Sequence, residues 1–377
     1  MNAFGFATAG RVLFGAGRAA TELGPVVAGL GARPLVCTGA DPDRQAALVA
    51  RLPDPRVIFP VAGEPTVDVL RAAVEAGRAH GADVVVGLGG GSAVDVAKAV
   101  AVLLRNAGDP LDYLPVPGPP RDPRPGVPCV AVPTTAGTGS ETTMNSVFAV
   151  PEQQVKVSMR SPVMLPTVAL VDPLLTVGCP PAATAASGLD ALTQCLEPFV
   201  SINANPVTDG LAAEGLRRAG NGLRRAYADG SDVAARTDMS VCALLSGMAL
   251  ANAKLGAVHG FAGVVGGLLP VPHGVACAAL LVPVVEANVR AGAAAQRYRA
   301  AAALLTGRPA ATVADLVAWL RETVSELAIP GLASYGLRPE HAEQVVTKAA
   351  SASSTQGNPV VLHEEALHRI LAEATSG

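Results

Sequence analysis

Residues 83–98 carry the stretch that decides the fold, DVVVGLGGGSAVDVAK. The apolar run over residues 83–88 is typical of a buried strand, and residues 93–104 have the spacing of a helix. Three consecutive glycines, Gly89 to Gly91, separate the two elements. A strand that passes through a glycine-rich turn into a helix is one unit of an α/β domain, in which strands and helices alternate.

The same turn has the composition of a phosphate-binding site. Glycines let a backbone approach a phosphate closely, and a helix N-terminus supplies N–H groups that lack partners. The turn does not have the G-x-G-x-x-G spacing of the usual dinucleotide fold, and its glycines alone would equally suit a plain strand–helix turn. The presence of Ser92, Asp95 and Lys98 after the glycines favours phosphate binding.

Working outward from this stretch, the first half of the chain repeats the alternation. Strands are also predicted at residues 34–37, 56–61 and 129–132 and from residue 168, and helices at residues 43–52 and 67–80. This alternation implies a parallel sheet with helices on both faces. The proline-rich residues 109–127 are predicted to form a surface loop.

The pattern changes in the second half, where strands give way to helical spacing. Helices are predicted at residues 182–200, 205–227, 233–250, 280–291, 296–305 and 312–327, and in the tail. A chain of 377 residues is long enough for two domains. We therefore predict an α/β domain over residues 1–178 and an all-helical domain over residues 179–377.

The composition argues against several classes of function. A net charge of −3 leaves no basic footprint for nucleic acid or an anionic membrane, and neither is expected as a partner. The six cysteines are irregularly spaced with no C-x-x-C pair, which is typical of reduced thiols. Because neither a signal peptide nor a transmembrane stretch is predicted, we expect a cytoplasmic protein.

A second polar loop follows the predicted strand at residues 129–132. It comprises residues 133–141, PTTAGTGSE, and concentrates hydroxyl groups and glycines at the end of that strand. Ligands bind at the carboxyl ends of parallel strands. A polar surface loop is the simpler interpretation of this segment taken alone, but two such loops in one sheet favour a dinucleotide site.

The helical half contains a candidate metal site. Asp190 and Gln194 lie four residues apart and so share one helix face. Of the six histidines, His259 and His273 are the two in apolar, glycine-rich surroundings. One carboxylate with two imidazoles suits a catalytic divalent metal, although a hydrogen-bonded core histidine is the commoner role for either ring.

Taken together, four ordered motifs resemble the iron-containing (group III) alcohol dehydrogenases. They are GGGSAVDVAK at residues 89–98, PTTAGTGSE at 133–141, SGLDALTQCLEPFVS at 187–201 and GAVHGFAGVVGGLLPVPHG at 256–274. Weaker pieces occur in matching order, so the resemblance covers nearly the whole chain. It implies a Rossmann-like N-terminal NAD(P)-binding domain and an all-α C-terminal domain, the dehydroquinate synthase-like fold of this family.

The resemblance also assigns the site residues. The cofactor site would comprise Gly39, Gly89, Gly90, Gly91, Ser92, Asp95, Thr134, Thr135, Thr138, Ser140 and Lys156. Asp190, His259 and His273 match the metal ligands and would be the catalytic residues. Candidates for the substrate pocket are Phe148, Lys254 and Phe261, of which Lys254 would favour an anionic aldehyde or else be a plain surface residue.

This chain departs from the family pattern at two positions near the metal. Gln194 stands where relatives that bind iron usually have a fourth histidine. Related glycerol dehydrogenases hold zinc with one Asp and two His, so either Fe²⁺ or Zn²⁺ is expected here, with Gln194 as a weak fourth ligand. Gly263 stands where many relatives have a histidine that relays a proton, so the proton would pass through water or the cofactor ribose.

A third position bears on the choice of cofactor. Relatives that prefer NAD often have an aspartate at the position of Gly39, where it binds the adenosine 2′-hydroxyl and would repel a 2′-phosphate. That acid is missing here, and Arg44 follows shortly. We therefore predict that NADP is accepted as well as NAD, unless Arg44 is only a solvated surface charge.

The function implied is NAD(P)-dependent, metal-assisted interconversion of an alcohol and an aldehyde by a homo-oligomer, most simply a dimer. Two further hypotheses stay open. A metal-independent NAD(P)H reductase of the maleylacetate reductase type shares the superfamily, and the changes at Gln194 and Gly263 would also suit a catalytically inactive NAD(P)-binding protein. A lyase resembling dehydroquinate synthase is less consistent, because no cluster of basic residues lies near His259 or His273.

Overall fold

The computed structural model describes residues 3–153 and 155–376. Within them the chain forms two compact units. One comprises residues 7–135 and 139–176, and the other comprises residues 3–6, 136–138 and 177–376. The first unit is α/β and the second is helical, so the predicted fold class is confirmed.

A six-stranded parallel sheet forms the centre of the α/β unit. Its strands are β1 (Arg11–Phe14), β2 (Pro34–Thr38), β3 (Val57–Pro60), β4 (Val84–Gly89), β5 (Cys129–Pro133) and β8 (Val168–Val171). Their order across the sheet is β1-β8-β5-β4-β2-β3. The strands β2, β4, β5 and β8 are buried along their whole length, because helices and loops cover both faces.

Among the described residues of this unit, four α-helices accompany the sheet: α1 (Arg18–Ala28), α2 (Ala46–Val49), α3 (Val67–His80) and α4 (Gly91–Leu103). The helix predicted at residues 43–52 is wrong in extent, since a 3₁₀ turn at Pro42–Gln45 precedes the four residues of α2. Strand β1 and helix α1 were not predicted. The buried Asp172 carboxylate fixes α1 there, because it accepts hydrogen bonds from the backbone N–H groups of Gly17 and Ala19 at 2.9 and 3.0 Å.

An antiparallel hairpin of β6 (Asn145–Val150) and β7 (Val155–Arg160) completes this unit and was also not predicted. It follows directly after the loop PTTAGTGSE. The inward-facing side chains of β6, among them Phe148 and Val150, join the apolar cluster that α3 and α4 form against the sheet. This packing makes the hairpin part of the α/β core.

Nine α-helices lie within residues 177–376, the part of the second unit's main segment that the structure describes. They are α5 (Pro181–Val200), α6 (Pro206–Ala228), α7 (Val233–Ala253), α8 (Ala257–Leu268), α9 (His273–Arg290), α10 (Ala295–Thr306), α11 (Val313–Glu326), α12 (Ala342–Ser351) and α13 (Glu364–Ser376). Helix α8 was missed, and α9 begins seven residues before the predicted start at residue 280. Gly274 explains why the start of α9 was not predicted, since glycine disfavours helices. A Cβ at this position would lie 2.3 Å from the carbonyl oxygen of Ala186, so the close packing of α9 requires glycine here.

Two of these helices, α7 and α9, are long and apolar enough to cross a membrane by length and composition. More than half of the most apolar window of each is buried, 56% in α7 and 61% in α9. Burial of this extent is the pattern of core helices, and it accounts for their apolar composition without a bilayer.

Candidate active site

The first glycine-rich turn lies between β4 and α4, as predicted. Gly90 is the N-cap of α4, no described side chain caps the helix, and its first turn contains no acidic residue. The first amides of an α-helix have no intrahelical acceptor, and they carry the positive end of the helix dipole. This end of α4 can therefore receive an anionic group beside Gly91 and Ser92.

The carboxyl ends of β2, β4 and β5 meet at this turn. The amide of Thr134 donates to the carbonyl oxygen of Gly89 at 2.9 Å. A Cβ on Gly89 would lie 2.8 Å from the Cβ of Ala93 and 3.0 Å from the backbone nitrogen of Gly39. Gly89 thus allows the three strand ends to approach, and the structure brings together three segments that were predicted to bind the cofactor.

Asp95 joins the two polar motifs. One oxygen of its carboxylate accepts a hydrogen bond from the hydroxyl of Ser140, and the other accepts one from the amide of Val147 at 2.9 Å. Both Asp95 and Ser140 were predicted to contact the cofactor directly. In the structure they bind one another, and so they connect α4 to the loop PTTAGTGSE and to β6.

Lys98 also connects α4 to this loop. The sequence analysis named it only as part of the first glycine-rich motif. Its ammonium is fully buried and donates to the carbonyl oxygens of Ser140 and Asn145 and to the hydroxyl of Thr143, which lies 2.9 Å away. Burial lowers the pKa of Lys98, and the neighbouring Asp95 carboxylate partly opposes this. Because these acceptors satisfy the ammonium, Lys98 holds the loop against α4.

Glu141, at the end of the same loop, is also buried. Burial raises the pKa of its carboxyl to about 7, although its own backbone amide and the ammonium of Lys98 favour the charged form. The carboxyl is therefore costly to ionise, unlike that of an ordinary surface glutamate.

The remaining residues of the predicted cofactor site are less buried. Thr135 is half-buried, and Thr138 is exposed and belongs to the helical unit. Lys156, on β7, forms an ion pair with Glu64. That pairing keeps its ammonium within the α/β unit.

In the helical unit, three helices bring the predicted metal ligands together. Asp190 lies on α5, His259 on α8, and His273 is the first residue of α9. Oδ1 of Asp190 lies 3.3 Å from Nε2 of His259 and 3.9 Å from Nε2 of His273. Asp190 and His259 are 3% and 7% exposed, whereas the side chain of His273 is 42% exposed, so one side of the cluster is open.

The atoms of this cluster lack partners. Oδ1 of Asp190, Oε1 of Gln194 and Nε2 of His259 are buried, and none has a hydrogen-bond partner among the described residues. Burial would raise the pKa of the Asp190 carboxyl, yet the two adjacent imidazoles hold it below its ordinary value. Buried polar atoms that converge without partners are rare in proteins and fit a cation bound between them.

Glu197 was missed by the sequence analysis. One of its oxygens lies 2.6 Å from Nδ1 of His259, and the other accepts from the amide of Val258 at 2.7 Å. A carboxylate beside Nδ1 accepts the proton of that nitrogen, and Nε2 then faces Oδ1 of Asp190 at 3.3 Å. Burial disfavours a charged ring, but Cys277, Glu197 and Asp190 raise the pKa of His259, so a second proton on Nε2 can lie between it and Asp190. A divalent metal can take the place of that proton, and the donor set fits one.

Comparison with known proteins matches both units to one family. The model for the iron-containing alcohol dehydrogenase matches residues 9–173, and the model for the C-terminal region of the Fe-containing alcohol dehydrogenase family matches residues 184–375. The chain belongs to the iron-containing alcohol dehydrogenase family.

Individual proteins that resemble this chain support the same assignment. Alcohol dehydrogenase 4 of Saccharomyces cerevisiae is 37% identical over 311 residues, which are 82% of this chain and 80% of that protein. A structure of 1,3-propanediol oxidoreductase superposes with a TM-score of 0.89 at 31% identity, covering 99% of this chain and 100% of that one. Sulfoacetaldehyde reductase from Bifidobacterium kashiwanohense, in complex with NAD⁺, gives 0.89 at 27% identity over 100% of both chains. The chain is thus an oxidoreductase of alcohols and aldehydes.

Gln194 occupies the position where the resemblance to iron-containing alcohol dehydrogenases led us to expect a histidine in many members. Its Nε2 lies 3.5 Å from the carbonyl oxygen of Gly137, and its Oε1 is the unpartnered atom described above. The oxygen of the amide, rather than its nitrogen, is therefore the atom left for a ligand role.

The three candidate substrate residues differ in placement. Phe148 and Phe261 are fully buried in the apolar cores of the α/β unit and the helical unit, where they pack against other side chains. Lys254 is exposed and follows α7, with a φ of 61° and a ψ of 175°. For a residue other than glycine this backbone conformation is strained. Core packing explains the positions of Phe148 and Phe261, whereas it does not explain the strained backbone of the exposed Lys254.

Proposed function

We propose that this member of the iron-containing alcohol dehydrogenase family is an NAD(P)-dependent, metal-assisted alcohol dehydrogenase and aldehyde reductase. The observation that carries the proposal is the convergence of Oδ1 of Asp190 with Nε2 of His259 at 3.3 Å, both buried and both without a hydrogen-bond partner among the described residues. A divalent cation can take the place of the proton that these two atoms would otherwise share.

Asp190, His259 and His273 are the residues that would hold the metal. When bound, a divalent metal supplies a Lewis acid that polarises the oxygen of an aldehyde. Asp190 contributes the negative charge of the site, and Glu197 keeps the ring of His259 oriented. The half-exposed His273 leaves access to the cluster from solvent, as a site that accepts a small substrate requires.

The cofactor would bind at the strand ends of the α/β unit, with its phosphates at the N-terminus of α4. A nicotinamide cofactor supplies the hydride. Gly91 and Ser92 offer backbone amides to the phosphates, while Asp95 and Lys98 hold the second loop in place. We propose that NAD and NADP are both accepted, since Gly39 presents no carboxylate to repel a 2′-phosphate. The relative solved with NAD⁺ supports use of a nicotinamide cofactor.

The exposed ammonium of Lys254, carried on a strained backbone, favours small anionic aldehydes as substrates. A residue other than glycine in this conformation costs about 1–3 kcal/mol, and such strain is concentrated at functional sites. The ammonium is exposed and precedes α8, the helix that carries His259. One relative with the same fold is named for sulfoacetaldehyde, an aldehyde that carries a sulfonate. We propose that Lys254 attracts a carboxylate or sulfonate on the substrate.

The test is oxidation of NADH and NADPH with a panel of short neutral and anionic aldehydes, before and after chelation, with Zn²⁺ or Fe²⁺ then added back. We expect turnover that the chelator abolishes and one of the metals restores. Asp190→Ala should lose activity, whereas Asp229→Ala, at an exposed position after α6, should retain it.

The alternatives give different results in the same assay. Turnover that persists in chelator would contradict the metal role and favour a reductase of the maleylacetate reductase type. A lack of turnover with every aldehyde and both cofactors would favour an inactive NAD(P)-binding protein. We also propose that the protein is cytoplasmic and forms a homodimer. The molar mass measured by light scattering would test the dimer.

A further inference from the structure

Cys277 is a fourth group beside the proposed metal ligands, and neither the motifs nor the family resemblance assigned it a role. It lies on α9 one turn after His273, so both side chains occupy the same face of that helix. The thiol is fully buried, and its Sγ lies 3.6 Å from Nε2 of His273. The ligand atoms of Asp190, His259, His273 and Cys277 all lie within 4.8 Å of one another.

The spacing of these atoms fits a four-coordinate ion. Zinc binds imidazole nitrogen and carboxylate oxygen at about 2.0–2.2 Å and thiolate at about 2.3 Å, so neighbouring ligand atoms of a tetrahedron are about 3.3–3.7 Å apart. The structure gives 3.3 Å from His259 to Asp190, 3.6 Å from Cys277 to His273, and 3.9 Å from His273 to Asp190. Small side-chain adjustments would complete the site. Cys277 would then take the fourth position predicted for Gln194, and the ion would expand to five ligands when an aldehyde enters beside the half-exposed His273, as catalytic zinc sites can.

The cysteine does not stand alone. The two buried, unpartnered atoms of Asp190 and His259 belong to the same cluster and point to a ligand there. Two other cysteines of this unit lie in different surroundings. Sγ of Cys195 is 3.9 Å from Sγ of Cys242, inside the apolar core. Cys277 is thus the cysteine of the helical unit whose sulfur meets two imidazoles and a carboxylate.

We infer that Cys277 binds the metal as a thiolate, and that the chain holds Zn²⁺ in preference to Fe²⁺ through the set Asp190, His259, His273 and Cys277. The inference rests on the proposed function, since it presumes a metal at the first three residues. On binding, the S–H bond breaks, a sulfur–metal bond forms, and the proton passes to solvent, with no change of oxidation state. A soft thiolate favours zinc, whereas oxygen and nitrogen donors alone discriminate less.

Absorption spectroscopy of the full-length protein loaded with Co²⁺ tests this directly, because a thiolate bound to cobalt gives an intense near-ultraviolet charge-transfer band that oxygen and nitrogen ligands do not give. Cys277→Ser removes the thiol with the smallest change of shape. Cys242→Ala is the matched control, a buried cysteine of the same unit placed away from the cluster. Competition with a chromophoric chelator gives the zinc affinity of each protein.

We expect the band in the wild-type protein and in Cys242→Ala, and its loss in Cys277→Ser while cobalt still binds. Zinc affinity of Cys277→Ser should fall by more than about tenfold, the lower end of the loss seen when only an outer-shell partner is removed. Cobalt binding without the band in the wild-type protein would overturn the role of Cys277 and leave the metal site standing. No stoichiometric cobalt binding at all would overturn both the inference and the proposed metal dependence.

Discussion

The carboxylate of Glu197 lies 2.6 Å from Nδ1 of His259, on the side of the ring opposite the nitrogen that faces Asp190. Both groups are buried, and the second oxygen of Glu197 is occupied by the amide of Val258 at 2.7 Å. Glu197 therefore sets both the tautomer and the orientation of the ring. A residue that never contacts the proposed metal thus controls one of its ligands.

Replacement of Glu197 by Gln should weaken metal binding without removing a ligand. The amide has one acceptor for two donors, so either the ring N–H of His259 or the amide of Val258 would face an NH₂ group. We expect zinc affinity to fall about 10–100-fold, the loss typical of outer-shell partners. Competition with a chelator measures this independently of turnover.

Glu286→Gln provides the control for this change. Glu286 lies on α9 in the same unit, where it pairs with Arg321 at 2.5 Å, away from the cluster. Its replacement should leave the metal affinity unchanged. Equal affinities for Glu197→Gln and the wild-type protein would show that the ring of His259 needs no such partner.

Glu141 should make the stability of the fold depend on pH. Below its ordinary pKa of 4.5 the carboxyl is protonated in both states, whereas between pH 4.5 and about 7 only the unfolded chain releases the proton. Stability should therefore fall as the pH rises through this window and level off above it. The difference between the two pKa values corresponds to about 3 kcal/mol.

The variant Glu141→Gln, which cannot ionise, should gain relative stability as the pH rises. Its free energy of unfolding minus that of the wild-type protein should increase by about 3 kcal/mol between pH 4.5 and pH 8, as measured by urea denaturation. Glu152→Gln, at an exposed position, should show no such trend. A difference that stayed flat across this range would mean that the buried carboxyl ionises at no cost.

Much of the fold could be predicted because buried strands and amphipathic helices leave periodic patterns. The runs that became β2, β4 and β5 are apolar throughout, and the strands are buried on both faces. Strand β1 has four residues of which only Leu13 is buried, so its pattern is indistinct. Helix α8 was hidden by its glycines, whose helix-breaking tendency is overridden where the helix is buried.

The site was predictable to the extent that its residues lie in continuous motifs. The approach of Gly39, Gly89 and Thr134 follows from the rule that parallel strands end at one edge. Glu197 contacts a histidine 62 positions away, and such a pairing depends on tertiary structure. One signal was nevertheless present: Asp190, Gln194 and Glu197 are spaced i, i+4 and i+7, which places them along one face of a helix.

Lys254→Gly should stabilise the fold and impair only anionic substrates. Glycine adopts the observed backbone conformation without strain, so we expect a gain of about 1 kcal/mol in the free energy of unfolding. Loss of the ammonium should raise the KM for sulfonated or carboxylated aldehydes by roughly tenfold, the effect of losing one charge-assisted hydrogen bond, and leave neutral aldehydes unchanged.

Ala328→Gly separates the two effects, because Ala328 also has a positive φ, of 53°, and carries no charge. This control should gain stability but keep the wild-type KM for every aldehyde. An equal KM for anionic substrates in Lys254→Gly and wild type would exclude Lys254 from substrate binding.

Gly39→Asp should convert the enzyme towards NAD. Gly39 follows β2, and a Cβ built there has no heavy atom of the described residues within 4 Å, so a side chain can be accommodated. The new carboxylate would accept a hydrogen bond from a ribose hydroxyl and repel a 2′-phosphate. We expect kcat/KM for NADPH to fall at least about tenfold relative to NADH, equivalent to about 1.4 kcal/mol.

Gly39→Ala, which adds a Cβ without charge, should keep the wild-type ratio. Should the aspartate leave the ratio unchanged, the adenosine ribose lies elsewhere, and the placement of the cofactor at the end of β2 would have to be abandoned.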